Sequence, residues 1–212
     1  MDTERLIRTL AADGTQPAPP MRRVWFWAMA ASAVVAAIVF YTAIGPRPDI
    51  MVAAATPRFL FKFVVTLALL TTAFAALKAL ARPGASVRSA LPMLLLAPSL
   101  LLVAVGVEMM LVPTDQLRDR WIGTNAFNCL TFIPLIGIGP LAAFLFALRH
   151  GAPTRPSLAG AVAGLVAGGL AATFYAAHCT DDSPLFVTTW YPLAIAVLAL
   201  AGAIAGRIFV RW

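Results

Sequence analysis

Charged residues are scarce in this sequence. They make up 12% of its 212 residues, about half the share that a soluble domain carries. That shortage excludes an ordinary water-facing surface. The charges come in clusters with long apolar stretches between them, and 61% of the chain is hydrophobic. Cysteine and histidine are scarcer still, at two residues each. There is no Cys-x-x-Cys pair, which leaves a thioredoxin-like thiol oxidoreductase unsupported, and with it an enzyme. The gaps between apolar stretches are too short to hold a soluble domain. No internal repeat is visible, although secondary transporters are often built on one. The net charge is +7, yet there is no basic run on a helix and no aromatic stacking platform, so direct nucleic-acid binding is not indicated.

What is present is a series of long apolar runs. About 20 residues suffice for a helix to cross the hydrocarbon core. Six segments qualify: Val24–Ile44, Phe59–Leu80, Leu91–Val112, Ala126–Leu148, Leu158–Ala177 and Leu185–Ile208. Prolines 46, 57, 83, 113, 153 and 184 punctuate the gaps, as helix breakers do. Pro98, Pro134 and Pro140 fall inside spans and predict kinks there. Lys62 and Lys78 lie near the ends of the second span, where they can snorkel to headgroups. The first run is too long for the apolar region of a signal peptide. The fold expected is all-α: a polytopic six-helix transmembrane bundle over residues 24–212, preceded by a tail over residues 1–23.

Lys and Arg set the orientation. Arg5, Arg8, Arg22, Arg23, Lys78, Arg82, Arg88, Arg149, Arg155, Arg207 and Arg211 fall on one side, and Arg47, Arg58, Lys62, Arg118 and Arg120 on the other. The richer side is cytoplasmic by the positive-inside rule. Both termini then lie inside a bacterial cytoplasmic membrane, and the bilayer is itself a partner.

Few residues stand out against this background. Cys129 and Cys179 both fall at the outer face, where an oxidising compartment permits a disulfide. His178 adjoins Cys179, and Asp181 and Asp182 follow. Thiolate, imidazole and carboxylate together can also hold a soft or borderline metal ion. The plainer reading is two small apolar residues near helix ends. Glu108 is the one carboxylate inside a predicted span. It is either functional or an interfacial acid reaching water, and at the outer face it would become a further ligand. Asp181 and Asp182 are the other candidate ligands. Gly160, Gly164 and Gly168, with Gly202 and Gly206, permit close helix packing, either within one chain or along a homodimer seam. Trp121, Trp190, Tyr191 and Trp212 fit an aromatic belt. In the tail, Leu6, Ile7 and Leu10 share one face of a short amphipathic helix, which would gain stability by docking on a partner or on the membrane.

The segment His178-Cys-Thr-Asp-Asp-Ser-Pro-Leu-Phe-Val-Thr-Thr-Trp-Tyr191 and the segment Arg149-His-Gly-Ala-Pro-Thr-Arg-Pro156 before a Gly-rich helix resemble the NrsF family, negative regulators of sigma F. The likeness covers nearly the whole chain. It implies an inner-membrane anti-sigma factor that restrains an extracytoplasmic-function (ECF) sigma factor and releases it on heavy-metal or oxidative stress. It also implies that Cys129 and Cys179 are the two periplasmic cysteines needed for the response. No resident cofactor is implied, only transient capture of a heavy-metal ion by Cys129, Cys179 and His178. No motif says which residues hold the sigma factor; Leu6, Ile7 and Leu10 are the physical choice. Throwing a two-state switch from 1:99 to 99:1 takes about 5.5 kcal/mol. A disulfide supplies about 2–4 kcal/mol and a thiolate metal site on the order of 10 kcal/mol, which favours metal. The competing reading is a small membrane transporter or transporter subunit, with Glu108 coupling to protons.

Overall fold

The computed structural model describes residues 3–13, 20–82 and 91–210. Every regular element among them is helical. A tail helix α1 (Thr3–Asp13) precedes α2 (Met21–Ala43), the one-turn α3 (Ile50–Ala53) and α4 (Pro57–Leu80). A 3-10 stretch (Leu91–Leu95) runs into α5 (Leu96–Leu111), followed by α6 (Thr114–Ile122), α7 (Ala126–Leu148), α8 (Pro156–Ala176) and α9 (Pro184–Phe209). Six of these helical stretches are long and apolar enough to cross a membrane. Their bounds fall within three residues of the expected spans. Val34, Val64, Leu102, Ile138 and Leu200 are among the apolar side chains on the outside of the bundle. So much exposed apolar surface suits a hydrocarbon solvent and not water.

Helix α8 is the most buried span, and its glycines explain why. A Cβ on Gly160 would run into the Gly202 carbonyl, and one on Gly164 into the backbone at Leu198 and Ala199. The backbones of α8 and α9 therefore touch along the small-residue stripe. The stripe is consumed within one chain and offers no seam to a second copy.

Several local expectations change. Pro98 lies in the first turn of α5, directly after the 3-10 stretch, so the irregularity it predicts falls where the helix changes from 3-10 to α. Pro134 and Pro140 do sit inside α7, and Pro192 sits inside α9. The outer connection after Pro113 is not a plain loop. It contains α6, with Asp115 in the first turn and Arg120 in the last, which suits the helix dipole. Gly123 then turns the chain at φ +58, where a Cβ would strike the Phe186 ring and the Asp181 carboxylate. Lys62 does not snorkel. It is fully buried, because its ammonium finds better partners inside the bundle than at the headgroups.

Candidate functional site

One end of the bundle gathers the C-terminal ends of α2, α5 and α8 and the N-terminal ends of α4, α7 and α9. The segment 179–183, between α8 and α9, lies at their centre. Its polar groups hold several different elements.

The Cys179 carbonyl accepts a hydrogen bond from Lys62 Nζ at 2.7 Å, and a long one from Arg47 Nη1 at 3.4 Å. Asp182 lies 2.5 Å from Lys62 Nζ and 3.0 Å from Arg47 Nη1. Arg47 also holds Asp49 through two bonds, at 2.6 and 2.7 Å. Two cations thus meet two carboxylates, and the charge balances. Lys62 and Arg47 also stand over the Phe59 ring, at 5.2 and 5.8 Å. The Arg47 guanidinium pulls the Asp49 carboxyl below its ordinary pKa; the hydrogen bond does most of this. The same bond, opposed by burial and helped by Asp182, raises Arg47.

Two carboxylates cap helices from outside. Asp181 Oδ2 accepts from the backbone N–H of Thr124 at 2.9 Å and of Asn125 at 2.8 Å, and from the Asn125 side chain at 3.0 Å. It therefore sits on the N-terminus of α7, where a negative charge meets the helix dipole. Glu108 Oε2 does the same for α9. It accepts from Ser183 Oγ at 2.8 Å and from Leu185 N at 3.1 Å. Its other oxygen faces Arg58 at 3.7 Å and Arg120 at 3.6 Å. Glu108 is thus buried and held by protein groups, with Oε1 in ion pairs but no hydrogen bond, and is not an acid reaching into water.

Cys129, in the first turn of α7, and Cys179 are both free and completely buried. Their side chains are neighbours. The hydroxyls of Tyr175 and Tyr191 are buried near the sulfurs and have no hydrogen-bond partner. The two rings pack edge to face at 5.9 Å. Tyr191 belongs to this core and not to an aromatic belt. Trp121 and Trp190 stay nearer the surface, bonded to Thr189 and to the Trp121 carbonyl respectively; Trp212 lies outside the described residues. Hydrogen bonding with Cys129, then the Lys62 charge, hold the Cys179 thiol below its ordinary pKa against the effect of burial.

The Cys179 thiol should therefore give up its proton at a lower pH than a free cysteine. Lys62→Met should move that midpoint upward. The 13Cβ shift of labelled cysteine, followed by NMR across a pH series, measures it without reagent access to the buried sulfur. An unmoved midpoint would show that Lys62 has no hold on the thiol.

The candidate ligands are placed differently from one another. His178 donates from Nδ1 to the Gly45 carbonyl at 2.9 Å, a tautomer assigned from that contact, which leaves Nε2 as the lone pair. Asp181, Asp182 and Glu108 are each bound by other protein groups. Among the described residues no three His, Cys, Asp or Glu side chains are gathered closely enough to hold an ion. Two adjacent sulfurs remain. They fit a soft ion in low coordination, or a disulfide, and not a closed tetrahedral centre. Sequence reasoning missed Arg47, Lys62, Tyr175, Ser183 and Asn125 as parts of this node. Only Arg47 carried a signal, being set between Pro46 and Pro48 beside Asp49.

At the other end of the chain, Ile7 is exposed on α1; the side chains of Leu6 and Leu10 lie outside the described residues.

No solved structure matches this chain. The family model for NrsF, negative regulator of sigma F, matches residues 10–212. An anti-sigma-F factor NrsF from Caulobacter vibrioides is 35% identical over the full length of both chains. A probable anti-sigma-F factor NrsF from Azospira oryzae is 31% identical, again over both full lengths. The family model covers all but the first nine residues and both relatives align over their full length, and the chain belongs to the NrsF family.

Proposed function

We propose that this chain is a multi-pass protein of the bacterial inner membrane that holds an ECF sigma factor of the sigma-F type at its cytoplasmic face. Chemistry at Cys129 and Cys179 on the periplasmic side releases the sigma factor. The role follows from family membership, since both relatives are named anti-sigma-F factors. A family of regulators gives no reason to expect catalysis. The orientation, with both termini inside, rests on the Lys and Arg bias. Residues 1–23 form a cytoplasmic tail, and Leu6, Ile7 and Leu10 on its helix contact the sigma factor.

One observation carries the sensing part. Cys179 opens the five-residue segment whose atoms hold α4 through Lys62, α5 through Glu108, α7 through Asp181 and the α2–α3 connection through Arg47. A change at the two sulfurs moves a segment on which four elements hang. Oxidation of the pair releases two protons and two electrons to an oxidant and forms one S–S bond. Capture of a soft metal ion releases the thiol protons and bridges the two sulfurs. A two-sulfur site lacks the four ligands behind a structural zinc site's affinity. The energetic advantage of metal over disulfide is accordingly smaller than ligand counting from the sequence implied, and both inducers serve the same switch. The transporter reading gains nothing here: the buried charges among the described residues, Arg47, Lys62 and Glu108, all lie at one end, and the buried polar side chains deeper in the spans are the hydroxyls Ser32, Thr66 and Thr72.

Co-purification of the detergent-solubilised chain with sigma factors, with and without residues 1–20, tests the role. Capture of one sigma factor, lost on deletion, is the expected result. Capture that survives deletion removes the tail as the contact, and no capture at all removes the anti-sigma role.

A further inference from the structure

At the end of the bundle opposite the thiols, α2, α4 and the turn between α7 and α8 enclose a cleft of about 710 Å³. Its apolar floor includes Trp25 and Phe74, which meet edge to face at 5.9 Å. Its rim carries Arg22, Lys78, Arg82 and His150, and no described residue lining it is acidic. The Lys78 ammonium stands 4.9 Å from the centre of the Phe74 ring. A positive rim around an aromatic floor suits a negatively charged segment that presents one apolar side chain as an anchor.

The walls of this cleft lead back to the thiol node. Helix α2 ends a few residues before Arg47. Helix α4 carries Lys62 near its other end, 16 residues from Lys78, or about 24 Å along a helix. Helix α7 carries Cys129 in its first turn and ends two residues before His150. The turn is tied to α4 by a hydrogen bond from Ala152 N to the Ala81 carbonyl at 3.1 Å. Helix α4 is held at segment 179–183 by its far end, α2 leads to Arg47, and α7, interrupted by Pro134 and Pro140, bears a thiol at its far end. A displacement there alters the spacing of Arg22, Lys78 and His150.

We infer that this cleft is a docking site for the sigma factor, taking an acidic segment with an apolar anchor between α2 and α4. The inference rests on the anti-sigma reading and says where that reading is enacted. The cleft is smaller than a whole protein interface, which takes about 800 Å² from each partner. It supplies the anchor and not the whole interface.

The test uses the full chain in nanodiscs and the sigma factor that it co-purifies with. Arg22, Lys78 and Arg82 are exposed, so Arg22→Gln/Lys78→Gln/Arg82→Gln leaves the core intact. We expect that variant to bind about ten-fold more weakly, as loss of three rim ion pairs implies. A photo-crosslinker at position 82 should capture the sigma factor, and one at Met110, at the thiol end, should not. Undiminished binding by the triple variant, with no crosslink at position 82, overturns the cleft while the anti-sigma role stands. Loss of bound anionic phospholipid without loss of sigma factor makes the cleft a headgroup site and overturns it too. If the wild-type chain captures no sigma factor, the role and the cleft fall together.

Discussion

Replacing Asp182 by Ala is expected to cost about 3–5 kcal/mol of stability, the range for breaking a buried ion pair from one side. Lys62 is 1% exposed, and its ammonium would keep only the neutral Cys179 carbonyl and the Phe59 ring. The cost comes from the stranded charge and not from the strength of the attraction. The double variant Lys62→Met/Asp182→Leu should therefore recover most of the loss, because removing both charges removes the desolvation penalty as well. Denaturant titration in mixed micelles measures both. Equal losses in the single and double variants would mean that Asp182 acts through Arg47 alone. The recovered variant is also informative about signalling: it should fold and hold the sigma factor, yet respond poorly, because α4 no longer hangs on the segment that Cys179 opens.

Gly160→Leu should prevent folding, and Gly160→Ala should cost about 3 kcal/mol, at the upper end for overpacking. The new Cβ would meet the Gly202 carbonyl and the Gly206 Cα. Both belong to the backbone of a packed helix, which cannot rotate aside as a side chain can. Gly106 in α5 is the control, for nothing lies within 4 Å of its would-be Cβ. Gly106→Ala should stabilise slightly, by up to about 1 kcal/mol of helix propensity. If Gly160→Ala proved as mild as Gly106→Ala, the close approach of α8 and α9 would be wrong.

The six spans were legible because hydrocarbon asks only for length and apolarity, and both can be read without knowing which helix touches which. Helix α6 was not expected: its cues, Pro113, Asp115, Arg120 and Gly123, are present, but a short polar connection between spans reads first as a loop. The thiol pair was visible as two cysteines at one membrane depth. The node around it was not. Whether Lys62 faces lipid or protein depends on its neighbours across the bundle, and snorkelling is the rule for a lysine near a span end. Glu108 capped α9 and Asp181 capped α7 from far along the chain, 77 and 56 residues from the N–H groups they accept. No local pattern encodes a cap supplied from that distance. Tyr175 and Tyr191 carry no signal at all beyond being aromatic in a span.

The central claim is that chemistry at Cys129 and Cys179 lets the sigma factor go. The direct measurement is the amount of sigma factor retained by the purified complex as a soft metal ion or a thiol oxidant is titrated in. The wild-type complex should lose it. Cys129→Ser and Cys179→Ser should bind as well as the wild type and keep the sigma factor through the titration. Release from both variants at the wild-type dose would contradict the account, since the signal would then enter somewhere other than the two sulfurs.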